Sequence, residues 1–177
     1  KQGKIIVEKQ TLPDGSSQSF SFTPSYASNF PLTDGQQNTS AFLNPGTYSV
    51  SETVPPGWNQ TSAICSDGSP VSAIVLGAGE TITCVFTNTQ NGHIIVDKVT
   101  SPAADPQSFG FTAGGAGYSN FSLTDAAAPN NQEVAPGAYS VSEGAVTGWS
   151  SDNGVCDQGE TPGSIDVGPG ETVTCTF

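Results

Sequence analysis

The sequence predicts an all-β chain made of two small domains in tandem, and three observations predict it. Duplication is the first: Gly3 to Thr11 reads GKIIVEKQT and Gly92 to Thr100 reads GHIIVDKVT, while PGTYSVSE at Pro45 to Glu52 returns as PGAYSVSE at Pro136 to Glu143. Composition is the second, since 21 Gly and 13 Pro among 177 residues, no Met, and abundant Ser and Thr suit short strands joined by turns. Third, the apolar runs IIV, YSVS, AIVL and TCVF are brief and alternate with polar residues. Amphipathic helices would instead repeat their apolar residues every third or fourth position.

The alignment of the copies sets the domains at 1–90 and 91–177. Lys9 matches Lys98 at an offset of 89, whereas Trp58 and Trp149, Cys65 and Cys156, Glu80 and Glu171, Cys84 and Cys175, and Phe86 and Phe177 all match at 91. The second copy therefore gains two residues, placed in the glycine-rich stretch Gly114 to Gly117. Units of this size have limited burial, so a covalent or metal support is an expected supplement. Lys1-Gln2-Gly3 aligns with the junction Gln90-Asn91-Gly92, and Phe177 aligns with Phe86 but has no counterpart of Thr87-Asn88-Thr89 after it. The second copy thus lacks the end of its last strand in this segment, and the expectation is a piece of a longer array.

Each strand can be read in turn from its period of two. In the first strand Ile5, Val7 and Lys9 share a face; in a middle strand Tyr48, Val50 and Glu52 do; in the last, Cys84, Phe86 and Asn88 do. Turns at Asp14-Gly15, Asp34-Gly35 and Asp67-Gly68 reverse the chain between strands, with Gly supplying positive φ. The second copy repeats the first two faces as Ile94, Val96, Lys98 and Tyr139, Val141, Glu143. Trp58 and Trp149, each following a Gly, are read as core residues packing over the cysteines rather than as ligand platforms.

Charge excludes one class of partner. Lys and Arg together number 4, all of them Lys, against 16 acids, so a nucleic-acid backbone has nothing to bind. The acidity is uneven, with three Lys and six acids in residues 1–90 and one Lys and ten acids in 91–177, and its expected role is solubility and mutual repulsion. No apolar run approaches the roughly 18 residues of a membrane span, so no insertion into a bilayer is expected from this segment.

Cys65 and Cys84 stand 19 residues apart, as do Cys156 and Cys175. Two Cys per unit and the single His93 cannot furnish repeated zinc sites, and thiol redox motifs need closer spacing. The reading is one disulfide per copy, Cys65 to Cys84 and Cys156 to Cys175, tying the last strand to an earlier one in an oxidising, extracellular setting. Four buried free thiols are the alternative.

Three polar groups fall in phase with core residues of the first copy: Lys9, Glu52 and Asn88. Burial lowers the pKa of an amine and raises that of a carboxyl, which would make Lys9 a nucleophile and Glu52 a proton shuttle toward the Asn88 amide. Attack with loss of ammonia would leave a Lys9 to Asn88 isopeptide bond between the first and last strands. An ordinary Lys–Glu ion pair, with Asn88 capping the linker turn, is the plainer reading of the same residues.

At this point the chain resembles the prealbumin-like, Cna B-type (SpaA-like) repeat domains of microbial surface adhesins and pilins. The resemblance rests on the first-strand Lys in IIVEK and IIVDK, the Glu of the YSVSE segments followed by Gly-Trp, and the terminal TCVFTN strand, and it covers both copies. It implies two Ig-like β-sandwiches, with Lys9 as the reactive amine, Glu52 as the catalytic carboxyl and Asn88 as the acceptor. Lys98 and Glu143 match in the second copy, where the acceptor would fall two residues beyond Phe177.

Other sites read more weakly. Asn38, Asn59 and Asn120 open N-x-Ser/Thr sequons and are candidate glycosylation sites. The Asp-Gly loops carry no calcium-type ligand series, so neither metal nor cofactor is expected. With His93 alone and no nucleophile elbow, turnover catalysis is not expected either; the only chemistry is self-directed. The leading function is a structural module of an extracellular stalk, surface fibre or pilus-like filament, partnered by neighbouring repeats or like subunits. The rival is an adhesin or carbohydrate-binding module that meets host or surface glycans through the loops 29–37 and 120–131.

Overall fold

The computed structural model describes residues 1–177, and every regular element in it is a strand. It divides into two units, Lys1–Gln90 and Asn91–Phe177. Nine strands build the first: β1 Lys4–Leu12, β2 Phe20–Pro24, β3 Phe30–Leu32, β4 Gln37–Thr39, β5 Gly46–Tyr48, β6 Val50–Thr53, β7 Trp58–Cys65, β8 Ile74–Leu76 and β9 Thr81–Gln90. Eight build the second: β10 Gly92–Asp97, β11 Phe109–Gly114, β12 Phe121–Leu123, β13 Asn130–Val134, β14 Gly137–Glu143, β15 Val155–Cys156, β16 Ile165–Val167 and β17 Thr172–Thr176.

In the first unit one sheet has the order β4-β1-β9-β7, and the facing layer is β3-β2-β6 with the pair β5-β8 beside it. The first and last strands are neighbours and parallel, with Lys9 opposite Phe86 and Thr11 opposite Asn88. A parallel pair cannot be joined by a hairpin, so the rest of the domain forms the connection between β1 and β9. The second unit repeats the plan as β13-β10-β17-β15 against β12-β11-β14-β16. There β14 runs unbroken where the first unit has β5 and β6, which separate at Ser49 as its N–H and C=O turn to Ser25.

Alternation decides which side chains fill the gap between layers. Along β1 the buried residues are Ile5, Val7, Lys9 and Thr11, and along β9 they include Ile82, Cys84, Phe86 and Asn88. They meet Phe20, Phe22, Val50, Ile74 and Leu76 from the opposite layer, with Phe22 edge-on to Phe86 at 5.1 Å between ring centres. The second core repeats this contact as Phe111 and Phe177 at 5.2 Å. Each such buried aromatic contributes about 1.5–3 kcal/mol. Close backbone approach fixes Gly3 and Gly92: a Cβ on either would come within 2.5 Å of the Glu80 carbonyl oxygen or 2.6 Å of that of Glu171.

Both disulfides form between strands that the sequence pairs as expected, Cys65 with Cys84 across β7 and β9, and Cys156 with Cys175 across β15 and β17. No free thiol remains. The tryptophans correct one expectation. Trp58 is buried and Trp149 packs against its core, yet Trp58 opens β7 opposite Gln90 while Cys65 closes the same strand. Eight extended residues span roughly 25 Å, so Trp58 stands at the far end of the sandwich from the disulfide. It packs edge-on against Phe20 instead, at 5.3 Å and 85°.

Candidate functional site

Strand register brings Lys9, Glu52 and Asn88 to one point in the first core. Lys9 points inward from β1, Asn88 from β9 two residues past the position opposite Lys9, and Glu52 from β6 across the gap, where it is paired with Phe22 of β2. Lys9 and Asn88 have no exposed surface, and neither does the side chain of Glu52. Nζ of Lys9 donates to Asn88 Oδ1 at 2.8 Å and to the carbonyls of Gln10 at 2.7 Å and Phe86 at 3.3 Å. Glu52 Oε1 lies 3.5 Å away.

Burial pulls the Lys9 amine below its ordinary pKa, against the opposing pull of the Glu52 charge. Burial pushes the Glu52 carboxyl up, against the Lys9 charge and the Asn88 amide. Both shifts run toward the neutral forms of the pair, whereas the three hydrogen bonds donated by Nζ are those of an ammonium. Three polar atoms of the site lack a regular hydrogen bond: both Glu52 oxygens and Asn88 Nδ2. Each such buried orphan costs about 1–3 kcal/mol. Nδ2 is also the atom that amide transfer would expel.

The second unit holds half of this arrangement. Lys98 and Glu143 are nearly buried and form an ion pair at 2.7 Å, beside a cavity of about 230 Å³ whose lining includes Phe109, Val146 and Trp149. The position that corresponds to Asn88 would fall two residues beyond Phe177.

Sequence reasoning missed two contributors. Asp34 does more than turn the chain: its carboxylate accepts from the N–H of Thr11 at 2.6 Å and of Gly15 at 2.7 Å, while the following residues clamp Lys9, Gly35 donating to its C=O and Lys9 N–H donating to Gln36. Asp125 holds the matching loop through Thr100 and Ala104. Burial would raise the Asp34 pKa, but the hydrogen bonds from Gly15 and Thr11 outweigh it and hold the carboxyl below its ordinary 3.8. A folded-state pKa below the unfolded one stabilises at pH values above 3.8 and loses that contribution as pH falls through the folded value. The first unit of Asp34→Asn should therefore melt lower than wild type at pH 7, with the gap narrowing as pH falls below 3.8, as calorimetry can check. The second contributor is Phe20, whose ring centre lies 4.1 Å from Lys9 Nζ. The signal for both was present in the alignment, where Asp34 matches Asp125 and Phe20 matches Phe109.

The candidate sequons occupy three settings. Asn38 is half-buried in β4 opposite Val7, Asn59 is exposed on β7, and Asn120 is exposed with its Oδ1 accepting from Ala113 N–H at 2.8 Å. No group of His, Cys, Asp and Glu side chains is arranged to hold a metal ion.

Comparison with known proteins places this architecture. No curated protein matches the chain. Among solved structures, the Bacillus anthracis TIE protein is 15% identical with a TM-score of 0.38, the match covering 99% of this chain and 33% of that one. A streptococcal ancillary pilin is 14% identical at 0.37, covering 99% and 62%, and the pilus adhesin SpaC of Lactobacillus rhamnosus GG is 14% identical at 0.37, covering 98% and 30%. The chain thus spans between about a third and two thirds of those structures. Prealbumin-like fold domains of the SpaA type match residues 5–90 and again residues 92–177. On these two matches, which leave hardly a residue of either β-sandwich uncovered, the chain belongs to the SpaA-type prealbumin-like family and carries its domain twice.

Proposed function

We propose that this chain is a load-bearing module of an extracellular stalk, surface fibre or pilus-like filament, associated there with neighbouring repeats or like subunits. Each domain is braced by its disulfide, and the first also by a self-formed isopeptide bond between Lys9 and Asn88. The observation that carries the reading is the Lys9 amine, fully buried, 2.8 Å from the Asn88 amide oxygen and 3.5 Å from an equally buried Glu52. Glu52 in its protonated form polarises the Asn88 carbonyl while neutral Lys9 attacks Cγ. The Nζ–Cγ bond forms, the Cγ–Nδ2 bond breaks, a proton from Nζ reaches Nδ2 by way of Glu52, and ammonia leaves. Glu52 ends as it began.

The position of the bond explains its mechanical use. Lys9 lies near the end of β1 and Asn88 near the end of β9, so tension between the termini would pass along β1, through the bond and out along β9. Residues 10–87 would carry none of it. Pulling the 177-residue chain from its ends should leave that segment folded at forces that extend the second unit. In that unit only the loop between Cys156 and Cys175 is shielded, so the residues ahead of Cys156 should pay out. Extension of both units in succession by similar lengths would count against a load-bearing role.

A further inference from the structure

We propose that Phe20 is a positioning residue for amide transfer at Lys9, with Trp58 fixing the plane of its ring; this rests on the isopeptide reading above. In the first unit Lys9 Nζ sits 4.1 Å from the centre of the Phe20 ring, and Trp58 meets that ring edge-on at 5.3 Å and 85°. In the second, Lys98 Nζ sits 4.3 Å from the centre of Phe109, and Trp149 meets that ring at 5.3 Å and 87°. The two columns of Lys, Phe and Trp are near copies.

What differs between the units identifies which contact sets the amine. Lys9 donates to an amide and two carbonyls and stands 3.5 Å from its carboxyl; Lys98 closes to 2.7 Å with its own. Polar partners change, while the ring contact stays within 0.2 Å, from 4.1 to 4.3. A lysine has four flexible methylenes, and holding its tip at one point costs side-chain entropy that some fixed contact must offset. The negative face of an aromatic ring supplies that contact and donates no hydrogen bond that would occupy the lone pair. Edge-on packing by Trp58 keeps the face turned toward Nζ. The recurring Gly-Trp then serves the amine from one layer away, through Phe20.

Fluorination tests this because it drains and reverses the ring quadrupole with little change in shape. Phe20 is replaced by trifluoro- and then pentafluorophenylalanine in cell-free synthesis, and intact mass is followed after a short pulse. Loss of one ammonia should slow stepwise with fluorination, reaching roughly two- to fivefold, the factor corresponding to the weak end of ring-face contacts because the attacking amine is neutral. Equal rates across the series, or faster ones, would overturn the proposal. A second readout does not need the bond: in Asn88→Ala, where Lys9 stays free, NMR titration of its amine should move to lower pH as fluorines are added. A falling rate despite an amine more readily neutral separates positioning from acid–base effects. If native protein loses no ammonia, the isopeptide reading fails, and an unmoved Lys9 titration would separately remove Phe20 as the contact that holds it.

Discussion

Glu52→Gln should keep the fold of the first domain, retain the full unreacted mass, and lose about 4–5 kcal/mol of that domain's stability. Gln preserves the shape of the buried side chain but can neither lend nor recover a proton, so Lys9 stays an amine and Asn88 an amide. The magnitude comes from loop closure. A cross-link between residues 79 apart removes chain entropy from the unfolded state, by the same logic that gives a disulfide closing a loop of 100 residues about 4.7 kcal/mol. Glu52→Ala is expected to be worse, since it loses the same proton shuttle and also leaves a cavity beside buried Lys9, at a further cost of about 2 kcal/mol. The two variants separate cross-link from packing: if wild type shows no deficit of one ammonia from its sequence mass and melts as Glu52→Gln does, there is no bond to lose. Asn88→Ala, like Glu52→Gln, should keep its full sequence mass with no ammonia lost, because the acceptor and the shuttle are equally indispensable.

Much of this was legible before any coordinates, and the reason is the strand period. Because β1 alternates without a bulge, Ile5 and Val7 commit Lys9 to the interior, and Cys84 and Phe86 do the same for Asn88. Glu52 was legible from Val50 alone, since Tyr48 turned out half-buried and the strand breaks at Ser49 between them. The disulfides were legible because duplicated spacing leaves few other partners. What alternation cannot express is distance along a strand. Trp58 and Cys65 belong to one strand seven residues apart, and nothing in their spacing says that one lies under each end of the sandwich. Nor does a period reveal what lies across the gap: Phe20 under Lys9 comes from pairing β2 with β6, a long-range register. Asp34 was hidden for a related reason, as a turn residue whose carboxylate reaches back to Thr11 across 23 positions.

Reduction should affect the two domains unequally, and the sign of the difference tests the whole covalent account. Each disulfide closes a loop of 19 residues, for which chain entropy gives about 3 kcal/mol. In the first domain that loop lies inside the larger loop that the proposed Lys9–Asn88 bond would close, so part of its constraint would already be supplied and reduction should cost less than the full amount. Within residues 91–177 the second domain is braced by its disulfide. Its partners β15 and β17 share only two register pairs, against seven between β7 and β9, so little ladder remains to hold them once the sulfurs part. Calorimetry in reductant should show the second transition falling further than the first, and Cys156→Ser with Cys175→Ser should reproduce that fall without reductant. In a Glu52→Gln background the protection of the first domain should disappear, and the cost of Cys65→Ser with Cys84→Ser should rise toward the full loop value. Equal shifts of both transitions in the native chain would mean that sulfur alone braces each domain, whatever the proximity of Lys9 to Asn88.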